Sequence, residues 1–257
     1  MEQTPSSPPT PHMPVANRWL ITVAVMLATI LEVLDMTIAN VALDHIRGTL
    51  SAGVDEAAWV MTSYIIGNAI VIPLTGWLSG MFGRKRFFLF CITVFTISSL
   101  FCGAAPNLAT LVFFRVVQGL SGGVMMPLSQ AILMETFSAR EQPMAMAIWG
   151  LGMMLGPILG PIIGGWITDS YSWRWIFYIN IPVGGIAFFL LAFVLVDPHY
   201  IKRTSTHIDW LGLALLVVSM GCMQMALDKG EREDWLDPNH LIPSRVLSAV
   251  GLLLFLV

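Results

Sequence analysis

Residues 19–43 read WLITVAVMLATILEVLDMTIANVAL, an apolar run broken by two acids, Glu32 and Asp35. A helix of this length crosses the roughly 30 Å hydrocarbon core of a bilayer. Moving outward, runs of the same kind recur at a steady pace. The expected spans are 19–43, 57–79, 87–105, 108–133, 143–167, 175–196, 210–227 and 246–257. They are too long and too uniformly apolar for barrel strands, which take about 10 residues and alternate apolar with polar. Composition agrees: 56% of the 257 residues are hydrophobic, only 11% are charged, and the mean hydropathy is +0.76. Soluble domains carry about 25% charged residues, so too few polar side chains exist here to coat a soluble globe. With 13 Lys and Arg against 16 Asp and Glu, there is no basic excess to hold nucleic acid. The fold class is an all-α membrane protein.

Residues 1–17, with Pro5, Pro8, Pro9, Pro11 and Pro14, read as a disordered tail. The tail lacks the basic start and cleavage site of a secretory signal, so the first apolar run is expected to be a retained span. The chain stops inside an apolar run, Gly251 to Val257, which reads as truncation after seven to eight spans. The domain reading is a tail over 1–17, a six-helix half over 18–200, and a linker with helix seven and part of helix eight over 201–257. Orientation follows the cations. Arg18, Arg84, Lys85, Arg86, Arg140, Lys202 and Arg203 fall on one side; Arg47, Arg174, Lys229, Arg232 and Arg245 fall on the other. Three cations in 80–86 against one in 44–56 place the N-terminus in the cytoplasm. Cys91, Cys102 and Cys222 lie in apolar runs without metal-ligand or disulfide spacing.

A faint internal repeat is visible, with chance similarity in a Gly- and Trp-rich membrane chain as the alternative. Gly76-Trp77 with Phe82 and Arg84 recurs as Gly165-Trp166 with Tyr171 and Arg174, 89 residues later. That offset is three spans, and an odd number of spans inverts the second copy. Inverted repeats of this kind are the architecture of secondary transporters.

Charge inside a membrane costs about 2.5–3.5 kcal/mol per residue on insertion scales. Only Glu32, Asp35 and Arg115 sit well inside the expected spans. Glu32 and Asp35 are three apart and share a helix face. Two carboxylates on one dry face resist ionising together, so one of them is suited to take up and release a proton. The alternative is that both acids simply pair with Arg115 or with polar groups to fix packing. Arg115 stays protonated and is suited to tune a neighbouring acid. Gln118, one turn on, and Asn40 are polar groups that could meet a ligand or a neighbouring helix, and they are the substrate-cavity candidates. Gly152, Gly156, Gly160 and Gly164 form a small-residue stripe for close helix approach. Gly165 continues the glycine run, and Pro157 and Pro161 would permit a bend. Together these residues suit a moving contact. The segment Gly76, Gly80, Gly83, Arg84, Lys85 and Arg86 reads as a short cationic loop, either an anchor or a latch between helices.

Taken in order, these motifs resemble the major facilitator superfamily, and within it the 14-span drug:proton antiporters of the EmrB/QacA type. Leu34 to Leu43 resembles the first-helix motif, Gly76 to Arg86 the loop between helices two and three, and Arg115 with Gln118-Gly119 the fourth-helix motif. Gly152 to Gly165 resembles the antiporter motif of helix five, and Trp173 to Pro182 the start of helix six. Leu227 to Gly230 with Asp234-Trp235 resembles the EmrB branch. Two positions depart from the pattern: Gly80 stands where the family loop has Asp, and Asp44 where the first-helix motif ends in Pro. Glu32 is not part of the motif.

The resemblance implies a helical bundle of inverted three-helix repeats. It implies proton-driven efflux of hydrophobic or cationic toxic compounds across the bacterial inner membrane, by alternating access. Asp35 would be the proton-linked acid, assisted by Arg115, with the glycine stripe shaping the switch. The coupling ion would be H+, with no cofactor and no metal. Partners would be membrane lipid, hydrophobic drugs, a periplasmic adaptor of the EmrA kind and an outer-membrane channel of the TolC kind. A carrier of one specific metabolite and a non-transporting membrane scaffold are the competing readings. Nothing in the sequence has the spacing of an enzyme's catalytic groups.

Overall fold

A computed structural model describes residues 15–195 and 210–230. Among them the elements are helices α1 (Val15–Val41), α2 (Leu43–Leu50), α3 (Val54–Val71), α4 (Thr75–Phe82), α5 (Arg84–Ala104), α6 (Leu108–Gly122), α7 (Met125–Thr136), α8 (Gln142–Ser170), α9 (Trp175–Tyr178), α10 (Asn180–Val194) and α11 (Trp210–Gly230), with a 3-10 turn at Ile72–Leu74. Six stretches are long and apolar enough to cross a membrane: Arg18–Val41, Val54–Phe82, Arg84–Ala104, Leu108–Thr136, Gln142–Ser170 and Trp175–Val194, spans 1 to 6 below. They correspond to the first six expected runs.

Two spans are interrupted where the sequence removes hydrogen bonds. Pro73 sits in the 3-10 turn that joins α3 to α4 in span 2. In span 4 the break lies at Gly123 and Val124, between α6 and α7. Pro127 has no N–H to give the Gly123 carbonyl, four residues back. Span 5, in contrast, remains one helix through Pro157 and Pro161.

Several expectations need correction. The supposed loop over 80–86 is helical on both sides, because Gly76 and Gly80 lie in α4 and Arg84, Lys85 and Arg86 form the first turn of α5. Only Gly83 leaves the helical conformation, at φ 86°, which an L side chain rarely adopts. The connection over 44–56 contains a helix, α2, which begins at Leu43. Asp44 lies in its first turn, where negative charge suits the helix dipole; proline there would have ended span 1 differently. Helix α1 starts at Val15, so the expected disordered tail is too long by three residues. The rest of that tail, much of the linker and the expected run 246–257 lie outside the described residues. Helix α11 covers the expected seventh run; its apolar stretch is Ala214–Gln224, and it packs beside span 2 with Gly221 facing Ile70.

The bundle core is two apolar layers with a polar layer between them. One layer gathers the start of spans 1 and 3 and the end of spans 4 and 6, with Ile21, Phe88, Phe95, Leu133 and Leu191 wholly or almost wholly buried. The other gathers the opposite ends, with Ile46, Ala105, Leu111, Ile176 and Phe177. Between them, at mid-span, lie Glu32, Asp35, Ser98, Ser99, Arg115, Gln118 and Asn180, all buried.

The repeated arginines each tie the two halves of the repeat together. Arg84, opening span 3, pairs with Glu135 at the end of span 4. Arg174, at the start of span 6, donates through Nη1 to the carbonyls of Gly103 and Ala105 at the end of span 3, both at 2.7 Å. Lys85 Nζ adds a bond to the Ala192 carbonyl of span 6 at 2.6 Å. The cationic segment is therefore a clasp among spans 3, 4 and 6.

Candidate functional site

Asp35 is the centre of the polar layer. Its side chain is 1% exposed, and that of Arg115 is 0% exposed. Arg115 Nη1 donates to Asp35 Oδ2 at 2.5 Å and to Gln118 Oε1 at 2.9 Å, and Arg115 Nε donates to the Val60 carbonyl at 3.1 Å. The other Asp35 oxygen, Oδ1, accepts from Gln118 Nε2 at 2.9 Å and from Asn180 Nδ2 at 2.5 Å. Asn180 reaches on to Ser99 Oγ at 2.9 Å, and Ser99 donates to the Phe177 carbonyl at 2.9 Å. The guanidinium lies over the Tyr64 ring, 4.2 Å from its centroid. One carboxylate thus connects spans 1, 2, 3, 4 and 6.

Local sequence explains how these side chains arrive together. Arg115 and Gln118 are three apart on α6 and project to one side. Gly119 lets α6 approach α3 closely: a Cβ there would strike the Tyr64 carbonyl, and a Cβ on Gly67 would meet Val116 O at 2.8 Å and Leu120 N at 2.9 Å. This approach brings Val60 O and the Tyr64 ring against Arg115.

Arg115→Ala should destabilise the protein by about 3–5 kcal/mol, the usual cost of stripping one partner from a buried ion pair. Thermal unfolding in detergent measures this. The Arg115→Ala, Asp35→Asn double variant should be more stable than Arg115→Ala alone; equal or lower stability would contradict the pairing.

The remaining candidates are distributed as follows. Gln118 does not line an open surface: it is wholly buried, with its amide engaged by Asp35 and Arg115. Asn40 is exposed, on the same side of span 1 as exposed Met36. Glu32 is buried near Asp35 but outside its hydrogen-bond set, and its carboxyl accepts from the Met126 N–H. Gly152, Gly156, Gly160 and Gly164 form a buried stripe against Met26, Val33, Thr37 and Ile38 of span 1. Thr37 Oγ1 lies 3.2 Å from the Gly156 carbonyl. Gly165 falls off this stripe, with open space where its Cβ would be, and Pro157 and Pro161 are exposed on the far side of the helix. Span 1 therefore shows one face, Asp35, to spans 4 and 6, and another, Val33 and Thr37, to the glycines of span 5. Asn180 and Ser99 were missed as site residues. The rule that singled out Asn40, a polar amide in an apolar run, applies equally to Asn180.

A six-span bundle with an ion pair buried at mid-membrane defines a multi-pass membrane protein of the carrier type. Residues 25–257 match the Major Facilitator Superfamily, and the chain belongs to that family. It is 42% identical over 238 residues to the multidrug export protein EmrB of Haemophilus influenzae, covering 93% of this chain and 46% of that protein. It is 41% identical over 235 residues to the probable multidrug resistance protein EmrY of Escherichia coli K12, covering 91% and 46%. A fatty acid resistance protein, FarB of Neisseria gonorrhoeae, is 39% identical over 237 residues, covering 92% and 46%. The chain thus spans about half the length of these relatives. Among solved structures, the proton:xylose symporter XylE matches with a TM-score of 0.65 at 17% identity, covering 85% of this chain and 55% of that one. The human organic anion transporter MFSD10 matches at 0.61 and 18%, covering 91% and 60%. At such identities these structures establish the fold alone.

Proposed function

We propose that this chain carries the proton-coupling half of an exporter that expels hydrophobic or cationic compounds across the bacterial inner membrane in exchange for inward-moving protons. Two relatives that are 41–42% identical bear multidrug export or resistance names, which supports the substrate class. The observation that carries the mechanism is Asp35 held in a dry layer by Arg115, Gln118 and Asn180.

In such a layer the attraction between the two charges is large and the cost of unpairing either is larger. A proton arriving on Asp35 cancels the carboxylate charge and leaves Arg115 without its counter-ion. The five spans joined at Asp35 must then readjust. Val33 and Thr37 flank Asp35 on the same helix and bear on the span 5 glycines, so readjustment of span 1 is passed to the stripe, where glycine allows one helix to move over another. Alternating access follows from one protonation event that biases two packings of the same helices.

The N-terminus faces the cytoplasm in this reading. The six-helix half lies within residues 15–195, and Trp210–Gly230 is the seventh helix beside it. An adaptor of the EmrA kind and a channel of the TolC kind would complete export in a two-membrane cell. Proton release measures the coupling directly. Adding a lipophilic cationic dye to the purified transporter at full family length should release protons into weakly buffered solution. Dye binding without proton release would overturn the reading.

A further inference from the structure

Asp35 and Glu32 are one helical turn apart and equally hidden, at 2% and 5% exposure, yet their surroundings differ. Asp35 has a guanidinium and two side-chain amides. Glu32 has one backbone donor, the Met126 N–H, and no cation among the described residues; its Oε2 is buried with no hydrogen-bond partner. Met126 belongs to the first turn of α7, just past the break in span 4. The carboxyl therefore sits at the start of a half-helix, where the exposed N–H groups favour negative charge only weakly compared with a true counter-ion. Across the break, Tyr64 Oη approaches Gly122 and meets the Asn68 side chain, one turn further along span 2.

The ionisable groups facing Glu32 are few. Asp35 is on its own helix, Tyr64 comes from span 2, and Arg115 stands behind the Tyr64 ring from span 4. Span 5 presents glycines to span 1, and α10 of span 6 contains no ionisable residue. Glu135 of α7 is occupied with Arg84 at the bundle end.

We propose that Glu32 is a second proton site, loaded and emptied separately from Asp35, so that two protons enter for each substrate expelled. A buried carboxylate without a counter-ion is held far more readily as the neutral acid. A proton on Oε2 gives that buried oxygen a hydrogen to donate, where as a bare acceptor it has no partner. The two acids then divide the work. Asp35 trades its proton against the Arg115 pair, and Glu32 trades its own at the broken middle of span 4, with Tyr64 in contact with both environments. The proton arrives from the acidic side and leaves to the alkaline side, with no other bond made or broken. The inference rests on the antiport reading above.

Proteoliposomes containing the transporter at full family length and loaded with a lipophilic monocationic dye provide the test. Two protons exchanged for one monocation move one net charge per cycle. A membrane potential imposed by a potassium gradient with valinomycin, at equal pH on both sides, should therefore drive export by the wild type. In Glu32→Gln, one proton exchanged for one monocation moves no net charge. Potential-driven export should fall to the level of empty vesicles, while a pH gradient still drives export, and Glu32→Asp should recover the potential response. Wild-type potential dependence retained by Glu32→Gln would overturn the proposal. So would a wild type driven by a pH gradient but indifferent to potential, although that result would leave the antiport reading standing. A wild type driven by neither gradient would overturn both.

Discussion

On the antiport reading, Asp35→Asn in the transporter at full family length is expected to reduce proton-driven export to the level of empty vesicles while the protein still inserts. Asparagine keeps an oxygen at the Oδ1 position to accept from Gln118 and Asn180, but its amide nitrogen faces Arg115 Nη1, so the variant also carries the cost of an uncompensated buried charge. What disappears is the titrating group and the charge opposite Arg115. Arg115 then keeps only the Gln118 and Val60 carbonyl oxygens, and no proton can switch its environment. Dye export driven by an imposed pH gradient, normalised to inserted protein, measures the effect. Full export by this variant would exclude Asp35 as the coupling acid.

The second large effect concerns stability. Gly119→Ala should destabilise the bundle by about 1–3 kcal/mol, the range for overpacking a tight interior, and Gly119→Val by more. The reason is that the added Cβ meets the backbone carbonyl of Tyr64, which has no rotamer to escape into. The same crossing holds Gly67 against the backbone of Val116 and Leu120, so neither helix has slack. A shift of α6 away from α3 would also carry Arg115 off the Val60 carbonyl. Gly165→Ala is the contrast, because open space surrounds that position and alanine favours helix over glycine. Its unfolding temperature should match or slightly exceed that of the wild type. Thermal unfolding of the two purified variants, with the monodisperse fraction of each, separates close-approach glycines from incidental ones. Equal melting of Gly119→Ala and wild type would contradict the observed crossing.

Much of this is legible in the sequence. Length and hydropathy of the apolar runs placed six spans to within a few residues, because a bilayer selects for helix length and uniform apolarity. The intramembrane cost of charge picked out Glu32, Asp35 and Arg115 for the same reason. The glycine period of four marked the stripe on span 5. Other features escaped. The expected loop at 80–86 is almost entirely helix, since glycine and arginine at a short connection say little about where one helix ends. The three-residue spacing puts Gln118 on the side of Arg115, but spacing alone does not show that its amide is taken up by Asp35 and Arg115. Asn180 lies in the Trp173 to Pro182 segment, but its contact with Asp35 is not legible in sequence because 145 residues separate the two.

Membrane class, the first six spans and the three costly charges follow from composition and spacing, because each is a local consequence of putting a chain into hydrocarbon. The pairing of those charges is a different kind of fact. Asp35 meets Arg115, Gln118 and Asn180 only because Gly67 and Gly119 let spans 2 and 4 cross closely and because span 6 brings its amide to the same level. Glu32, of the same chemistry and one turn away, instead meets a broken helix and, among the described residues, no cation. Which of two like acids receives the counter-ion depends on how helices distant in sequence pack around them, and that is decided only in the assembled bundle.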